Sequence, residues 1–242
     1  MKTPELLFEL SHPTRLAILR FVSDREERLT EIARTLEAKN PETSRHLDRL
    51  GGSGLVEQTP KGAYRATPFG RLVLGSLGPI EFLTENEAYF RTHDLSGLPE
   101  PFVARLGDLA TGETPGGTFT NFARDEMIFG GATKRLALLA PELPKDSIEA
   151  LEAKETGGSR VRVVLEQGYR GPRPSESTSH LFRLVPSLPM AAAISESAAC
   201  ISFPARGGRM DYAAFFASGD PRFVRWARDV ADWLWEEGEY VR

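Results

Sequence analysis

Leu29–Thr67 reads LTEIARTLEAKNPETSRHLDRLGGSGLVEQTPKGAYRAT, and its order of signals decides the fold. Thr30 precedes EIARTL, with Ile32, Ala33 and Leu36 at helical spacing; a Thr at the cap satisfies a free helix N–H. Asn40-Pro41 restarts the chain as a helix, Asn40 capping and Pro41 in the first turn, where a missing N–H costs nothing. Thr43, Leu47 and Leu50 then fall at i, i+4 and i+7 and share one face. Ser44, Arg45, Asp48 and Arg49 project from the other, with His46 on the flank. Gly51-Gly52-Ser53-Gly54 ends the helix. Leu55-Val56-Glu57 and Ala63–Thr67 flank a Lys61-Gly62 turn as a short hairpin. Helix, turn, helix and hairpin in this order spell a winged helix-turn-helix.

That reading assigns chemistry to side chains. A helix that buries two leucines and presents Arg, Ser and Arg outward is built to enter a major groove, where Arg makes bidentate contacts to guanine edges. Arg45 and Arg49, with Thr43, Ser44 and His46, are the expected groove residues. Lys61, Tyr64 and Arg65 are placed to meet the backbone from the wing, contacts that position without specifying sequence. Thr30 would offer a helix N-terminus to a phosphate. A solvated amphipathic helix is the bland alternative for the 41–50 segment alone; the hairpin that follows argues against it.

Upstream, LSHPTRLAILRFV (Leu10–Val22) supplies the scaffold helix, with Ser11 as expected cap and Pro13 in the first turn. Asp24–Glu27 reads as a solvated charged loop. Together LSHPTRLAILRFV, LTEIARTL, TSRHLDRL and GLVEQ resemble the arsenical-repressor-type winged-helix regulators over about residues 5–67. The resemblance implies DNA binding. It departs from the metal-sensing members, which carry a thiolate pair on a DNA-domain helix. The one cysteine here, Cys200, sits in the apolar run AACISF and reads as a buried small hydrophobe. No soft-metal switch is expected.

Composition sets the frame. The 242 residues suit one large domain or two smaller ones. No apolar run approaches the roughly 20 residues needed to span a bilayer, and the N-terminus lacks the apolar stretch of a secretory signal, so a cytoplasmic protein is expected. The net charge is −4, yet residues 1–67 hold 11 Lys/Arg against 10 Asp/Glu. Where positive charge is displayed matters more than its total.

Three parts are expected: residues 1–67 as the winged helix, 68–92 as a helical connector, and 93–242 as a regulatory domain of α/β type (α+β over the whole chain). In the connector, Phe69, Leu72, Val73 and Leu77 are helically spaced, Gly78-Pro79 interrupts, and Ile80, Leu83 and Phe90 resume. So much apolar surface needs a partner, and a homodimer joined through it is expected. Beyond it, HDLSGLPEPFVARLGDL gives a turn and short helix, Thr111–Thr120 an irregular segment, and NFARDEMIFGGA a helix. The strand RLALLAP, a helix from about Asp146 and the strand RVRVVLE make a βαβ unit. MAAAIS and ACISFP form a hairpin about Glu196-Ser197. Asp220-Pro221 opens a terminal helix with Phe223, Ala227, Val230 and Leu234 on one face.

HDLSGLP, the βαβ core and DPRFVRWARDVADWLWE resemble the archaeal methanogenesis-regulatory-protein middle domain. The α/β body is also similar to the phospholipase-D-like domain of archaeal sugar-responsive regulators. The resemblance implies a DNA-binding transcriptional regulator whose second domain senses a small-molecule effector or serves dimerisation, with double-stranded DNA as partner. A phosphodiesterase-like hydrolase is the rival. It needs a His-x-Lys pair, but the residues two beyond His12, His46, His93 and His180 are Thr14, Asp48, Leu95 and Phe182. No G-x-S-x-G, H-E-x-x-H or Walker loop is present, so no catalytic residue, cofactor or metal is expected. Gly130–Lys134 only faintly resembles a phosphate loop. His93-Asp94 reads more simply as a turn than as an acid/base pair. Arg170–Arg173 and Arg206–Arg209 are basic loops able to grip an anion, though solvated loops are the simpler reading. A third reading is a protein–protein adaptor, which Glu42 and Asp48 on the 41–50 helix keep open.

Overall fold

The computed structural model describes residues 1–112, 128–144, 147–172 and 174–241, and the chain divides into Met1–Leu77 and Gly78–Arg242.

The first unit holds α1 (Thr3–Leu10), α2 (Pro13–Phe21), β1 (Glu27–Arg28), α3 (Leu29–Thr35), α4 (Asn40–Gly52), β2 (Val56–Gln58), β3 (Ala63–Ala66) and α5 (Pro68–Gly75). Ile18, Leu19, Ile32, Leu47, Leu50 and Leu55 meet in its core. Proline sets two of the helix starts: Pro13 follows a His12 cap and Pro41 lies in the first turn of α4. Three expected caps move by one or two residues. Ser11 ends α1, its hydroxyl donating to the Phe8 carbonyl at 2.9 Å. Thr30 lies inside the first turn of α3 behind an Arg28 cap, and Asn40 is the first residue of α4 behind Lys39. The last carbonyls of α1 are held by Arg15, whose guanidinium donates to the Phe8 and Glu9 oxygens at 2.7 Å each.

The wing is a three-stranded sheet in the order β1-β3-β2. Asp24–Glu27 is therefore not wholly a loop: Glu27 and Arg28 pair with Tyr64 and Ala63. A two-residue strand carries no alternation from which it could be read. Gly62, at φ +78°, takes the left-handed turn that closes the hairpin. α5 belongs to this unit. The Thr67 hydroxyl caps it, accepting from Gly70 N at 2.9 Å and donating to the Gly54 carbonyl at 2.6 Å. A Cβ on Gly70 would come within 2.1 Å of the Leu55 carbonyl oxygen, so only glycine allows α5 this close.

The stretch expected as one connector is thus divided. α6 (Gly78–Glu85) and α7 (Glu87–Phe90) belong to the second unit, where Phe82 is buried with Leu106 and Leu109. There follow α8 (Glu100–Val103), a 3₁₀ turn at Leu106–Leu109, β4 (Arg135–Ala140), α9 (Ser147–Thr156), β5 (Arg160–Glu166), a 3₁₀ turn at Ser179–Leu181, β6 (Phe182–Val185), β7 (Ala191–Ser195), β8 (Ala199–Ser202), β9 (Phe216–Ser218), α10 (Pro221–Glu237) and β10 (Glu239–Tyr240). The sheet order is β10-β6-β5-β4-β7-β8-β9, parallel from β6 to β4 and antiparallel elsewhere. The βαβ unit and the β7–β8 hairpin lie where the sequence places them. Most of the helix read over NFARDEMIFGGA, most of the Thr111–Thr120 segment, Asp146 and Arg173 lie outside the described residues.

Strand alternation sends residues to two cores. Leu139, Val164 and Ile194 meet α10 on one face; Leu136, Val163 and Leu151 of α9 pack on the other. α10 opens on Asp220, whose carboxylate accepts from Arg222 N at 2.7 Å, and buries Phe223, Trp226, Ala227, Val230 and Leu234.

The Gly130–Lys134 segment is not an open phosphate cradle. The Glu196 carboxylate accepts from the backbone N–H of Thr133 and Arg135 at 3.1 and 3.2 Å and from the Thr133 hydroxyl at 2.7 Å. Partial burial pushes its pKa up, but these hydrogen bonds outweigh that and hold it at about 2, against an ordinary 4.5. With the folded pKa depressed, its stabilisation is complete above about pH 4.5 and is lost as pH falls toward 2. Glu196→Gln is expected to cost about 1–2 kcal/mol at neutral pH and to flatten this acid limb, read by urea unfolding across pH.

Candidate nucleic-acid interface

α4 is seated by Thr43, Leu47 and Leu50, which are at most 1% exposed, so its opposite face is presented outward. Arg45 lies on that face. It is exposed and, among the described residues, its side chain has no hydrogen-bond or ion-pair partner. Asp48 is also exposed and Ser44 is half-buried. At the wing tip Lys61 is exposed and likewise unpaired among the described residues. Thr30, in the first turn of α3, is exposed.

Five expected contact residues stand differently. Thr43 does not face a groove: it is fully buried and its hydroxyl donates to the Lys39 carbonyl at 3.1 Å. Its position in the Leu47–Leu50 stripe requires this. Arg49 is bound to α1. Its guanidinium grips both oxygens of Glu9, one at 3.1 Å, and sits 5.4 Å over the Phe8 ring. Glu9 also pairs with Arg15 at 3.0 Å, and the Arg49 hydrogen bond holds its carboxyl below the usual range, against partial burial. Arg65 is shared between Glu57 at 2.7 Å and Glu26 at 3.0 Å, so its charge is largely spent within the wing. Tyr64 is half-buried against the core.

His46 turns inward. Its ring lies 4.5 Å from that of His12, the α2 cap, and both its nitrogens are buried without a hydrogen-bond partner. Burial, then the His12 and Arg15 charges, push its pKa below the ordinary 6.5; Glu42, 3.7 Å away, opposes them. The unfolded chain therefore takes up this proton more readily than the folded one. The stabilisation is complete above about pH 6.5 and is lost as pH falls below it. His46→Gln is expected to remove that slope, measured by urea unfolding on either side of pH 6.5.

Two further basic residues of the head are also exposed. Arg28 and Lys39 occupy the caps of α3 and α4, exposed and unpaired among the described residues. A cation at a helix N-terminus opposes the macrodipole. That misfit is a readable signal, since a phosphate there would relieve it.

His93 and Asp94 form no acid/base pair. Asp94 closes a turn, accepting from Ser96 N at 2.8 Å and from its hydroxyl at 2.9 Å. The His93 ring stacks 3.6 Å from Tyr89 and reaches the Tyr89 carbonyl at 2.8 Å and Asp211 at 3.1 Å. Arg206–Arg209 is a tight turn, with Gly208 at φ +76°.

Residues 12–58 match the family model described as bacterial regulatory protein, arsR family. This segment is an ArsR-type helix-turn-helix. No curated protein matches the chain. Among solved structures, the chain is similar to the archaeal chromatin protein TrmBL2 at 14% identity, over 97% of this chain and 94% of that one, with a TM-score of 0.44. An IclR-type regulator from Alicyclobacillus acidocaldarius matches at 12% identity, over 97% and 96%, with a TM-score of 0.29. NucT from Helicobacter pylori matches at 10% identity over 51% of this chain and 92% of that one, with a TM-score of 0.37. The ArsR-type head makes this a DNA-binding transcriptional regulator.

Proposed function

We propose that the protein is a cytoplasmic, homodimeric regulator that reads a two-fold operator with α4 and takes an effector in its second unit, acting by binding rather than catalysis. The observation that carries the reading is Arg45, unpaired on the outward face of a helix anchored by buried Leu47 and Leu50. Ser44 stands beside it. Arg28, Thr30, Lys39 and Lys61 take backbone phosphates, and Arg49 and Arg65 contribute only by exchanging their carboxylate partners for phosphate. Among the described residues no helix is long and apolar enough to cross a membrane.

Dimerisation is supported by apolar side chains left open in the expected connector. Phe69 and Leu72 of α5 are 45% and 72% exposed, and Ile80 and Leu83 of α6 are also exposed. Leu72→Glu is expected to convert the dimer to monomer in light scattering and to weaken operator binding by one to two orders of magnitude, since each half-site is then held alone. A dimer unchanged by that substitution places the interface elsewhere.

The adaptor reading draws on a specific observation: ion pairs consume Arg49 and Arg65, which leaves Glu42 and Asp48 prominent on the outer face of α4. The salt dependence of DNA binding separates the two readings. With Arg28, Lys39 and Lys61 of both protomers each neutralising a phosphate, a log–log slope of about −5.4 is expected, whereas a protein-docking head shows no DNA binding with such a slope.

A further inference from the structure

The α10-covered face of the sheet changes character toward one end. Its inward positions run Arg135, Ala137, Leu139 on β4 and Arg160, Arg162, Val164 on β5, paired across the strands as Arg135 with Arg160 and Ala137 with Arg162. Leu139 and Val164 are 1% exposed, in the apolar core. At the N-terminal ends of the same two strands the stripe is arginine. α10 adds Arg228, Asp232 and Glu236, spaced four apart and so on one helix face. These side chains line a cleft of about 300 Å³, the size of a small-metabolite site.

Fold stability does not account for the arrangement. Adjacent strands lie about 4.8 Å apart, so Arg135 and Arg160 are like charges side by side, which is unfavourable by itself. Among the described residues only Arg162 of the four is provided for, bound to Asp232 at 2.6 Å and lying 4.9 Å over the Trp235 ring. Burial, and next the charge of Arg160, push Arg162 below the ordinary guanidinium range, against Asp232 and Glu236; with four arginines to two carboxylates in its lining, the cleft is short of negative charge. Among the described residues the side chains of Arg135, Arg160 and Arg228 have no hydrogen-bond or ion-pair partner. Arginine rather than lysine suits a planar fork that grips an oxyanion by two N–H groups.

We propose that this cleft binds a small phosphate-bearing metabolite, with Arg135, Arg160 and Arg228 taking the phosphate and Asp232 and Glu236 accepting from hydroxyl or amino groups beyond it. The two carboxylates disfavour a continuous nucleic-acid backbone and favour a ligand that is anionic at one end and a donor at the other. This assignment gives the chemistry of the effector in the reading above and rests on it only for its consequence at DNA.

The test is calorimetric titration of the full chain at constant ionic strength with inorganic phosphate, glycerol 3-phosphate, glycerol and chloride. Glycerol 3-phosphate is expected to bind more tightly than phosphate, with glycerol and chloride silent. Arg160→Gln and Arg228→Gln are each expected to weaken it about tenfold or more. Without ligand neither is expected to lower the melting temperature, because each relieves a like-charge cluster; a melting curve for each variant separates lost binding from lost folding. Phosphate binding no stronger than chloride, or binding unchanged by both substitutions, overturns the site. So does loss of random-DNA binding in Arg160→Gln without loss of phosphate binding, which would make the cluster a DNA contact. Operator affinity with and without glycerol 3-phosphate is measured alongside. Phosphate binding with unchanged operator affinity upholds the site and sinks the effector reading; intact operator binding with no phosphate binding overturns the site and leaves the DNA-reading assignment standing.

Discussion

Arg45→Ala is expected to weaken operator binding by about 1–3 kcal/mol, or roughly five- to 150-fold, and to relax the preference for guanine at the position it reads. The change removes no contact within the head, because the Arg45 side chain has no partner among the described residues. Alanine is also the best helix former, so α4 stays folded on Leu47 and Leu50. The whole loss should therefore appear at DNA. Lys61→Ala should weaken specific and random DNA alike and reduce the salt slope by about one per protomer, since a phosphate contact carries no sequence information. Arg49→Ala makes the third comparison. It breaks the pairing with Glu9, leaving that carboxylate to Arg15 alone, so its first effect is a lower denaturation midpoint of the head. Equal loss on specific and random DNA for Arg45→Ala would remove its base-reading role.

Trp226→Ala is expected to cost the second unit about 3–5 kcal/mol, a large part of the stability of an ordinary domain. Trp226 is fully buried on α10, edge-on to Phe102 and Phe203 with ring centroids 6.3 and 6.4 Å away. Its indole N–H donates to the Phe102 carbonyl at 3.0 Å. Truncation opens a cavity and removes one of that carbonyl's hydrogen bonds, leaving it the Arg105 N–H at 3.1 Å. Because the chain divides at Leu77/Gly78, calorimetry should show the second unit's transition falling while the head's stays in place. Trp226→Phe, which keeps most of the volume, should cost less than half as much. A single transition shifted as a whole would show that the two units melt together.

The sequence made the head legible because its signals are local. Prolines mark helix starts, glycines mark the end of α4 and the wing turn, and the Leu47–Leu50 stripe sets which face is buried. The same stripe excludes Thr43 from a groove, so that assignment was correctable from spacing alone. The fates of Arg49 and Arg65 were not. Glu9 and Glu26 lie 40 and 39 residues from Arg49 and Arg65, and no local pattern pairs them; only Glu57, opposite Arg65 in the hairpin, is within local reach. Short strands were also hidden, since β1, β9 and β10 have two or three residues each. In the second unit, RVRVVLE displays its alternation openly. That Arg160 and Arg162 share a cleft with Arg228 follows only once α10 is laid over that face.

The central claim, that α4 reads a two-fold DNA site through Arg45, is tested most directly by selecting bound sequences from a random duplex library with the full chain and with Arg45→Ala. The account predicts that the wild-type chain enriches an inverted repeat with half-sites about one helical turn apart, ~34 Å, and that Arg45→Ala loses one base position symmetrically from both halves. Enrichment of no sequence by the wild-type chain, or the same repeat recovered undiminished with Arg45→Ala, would contradict it.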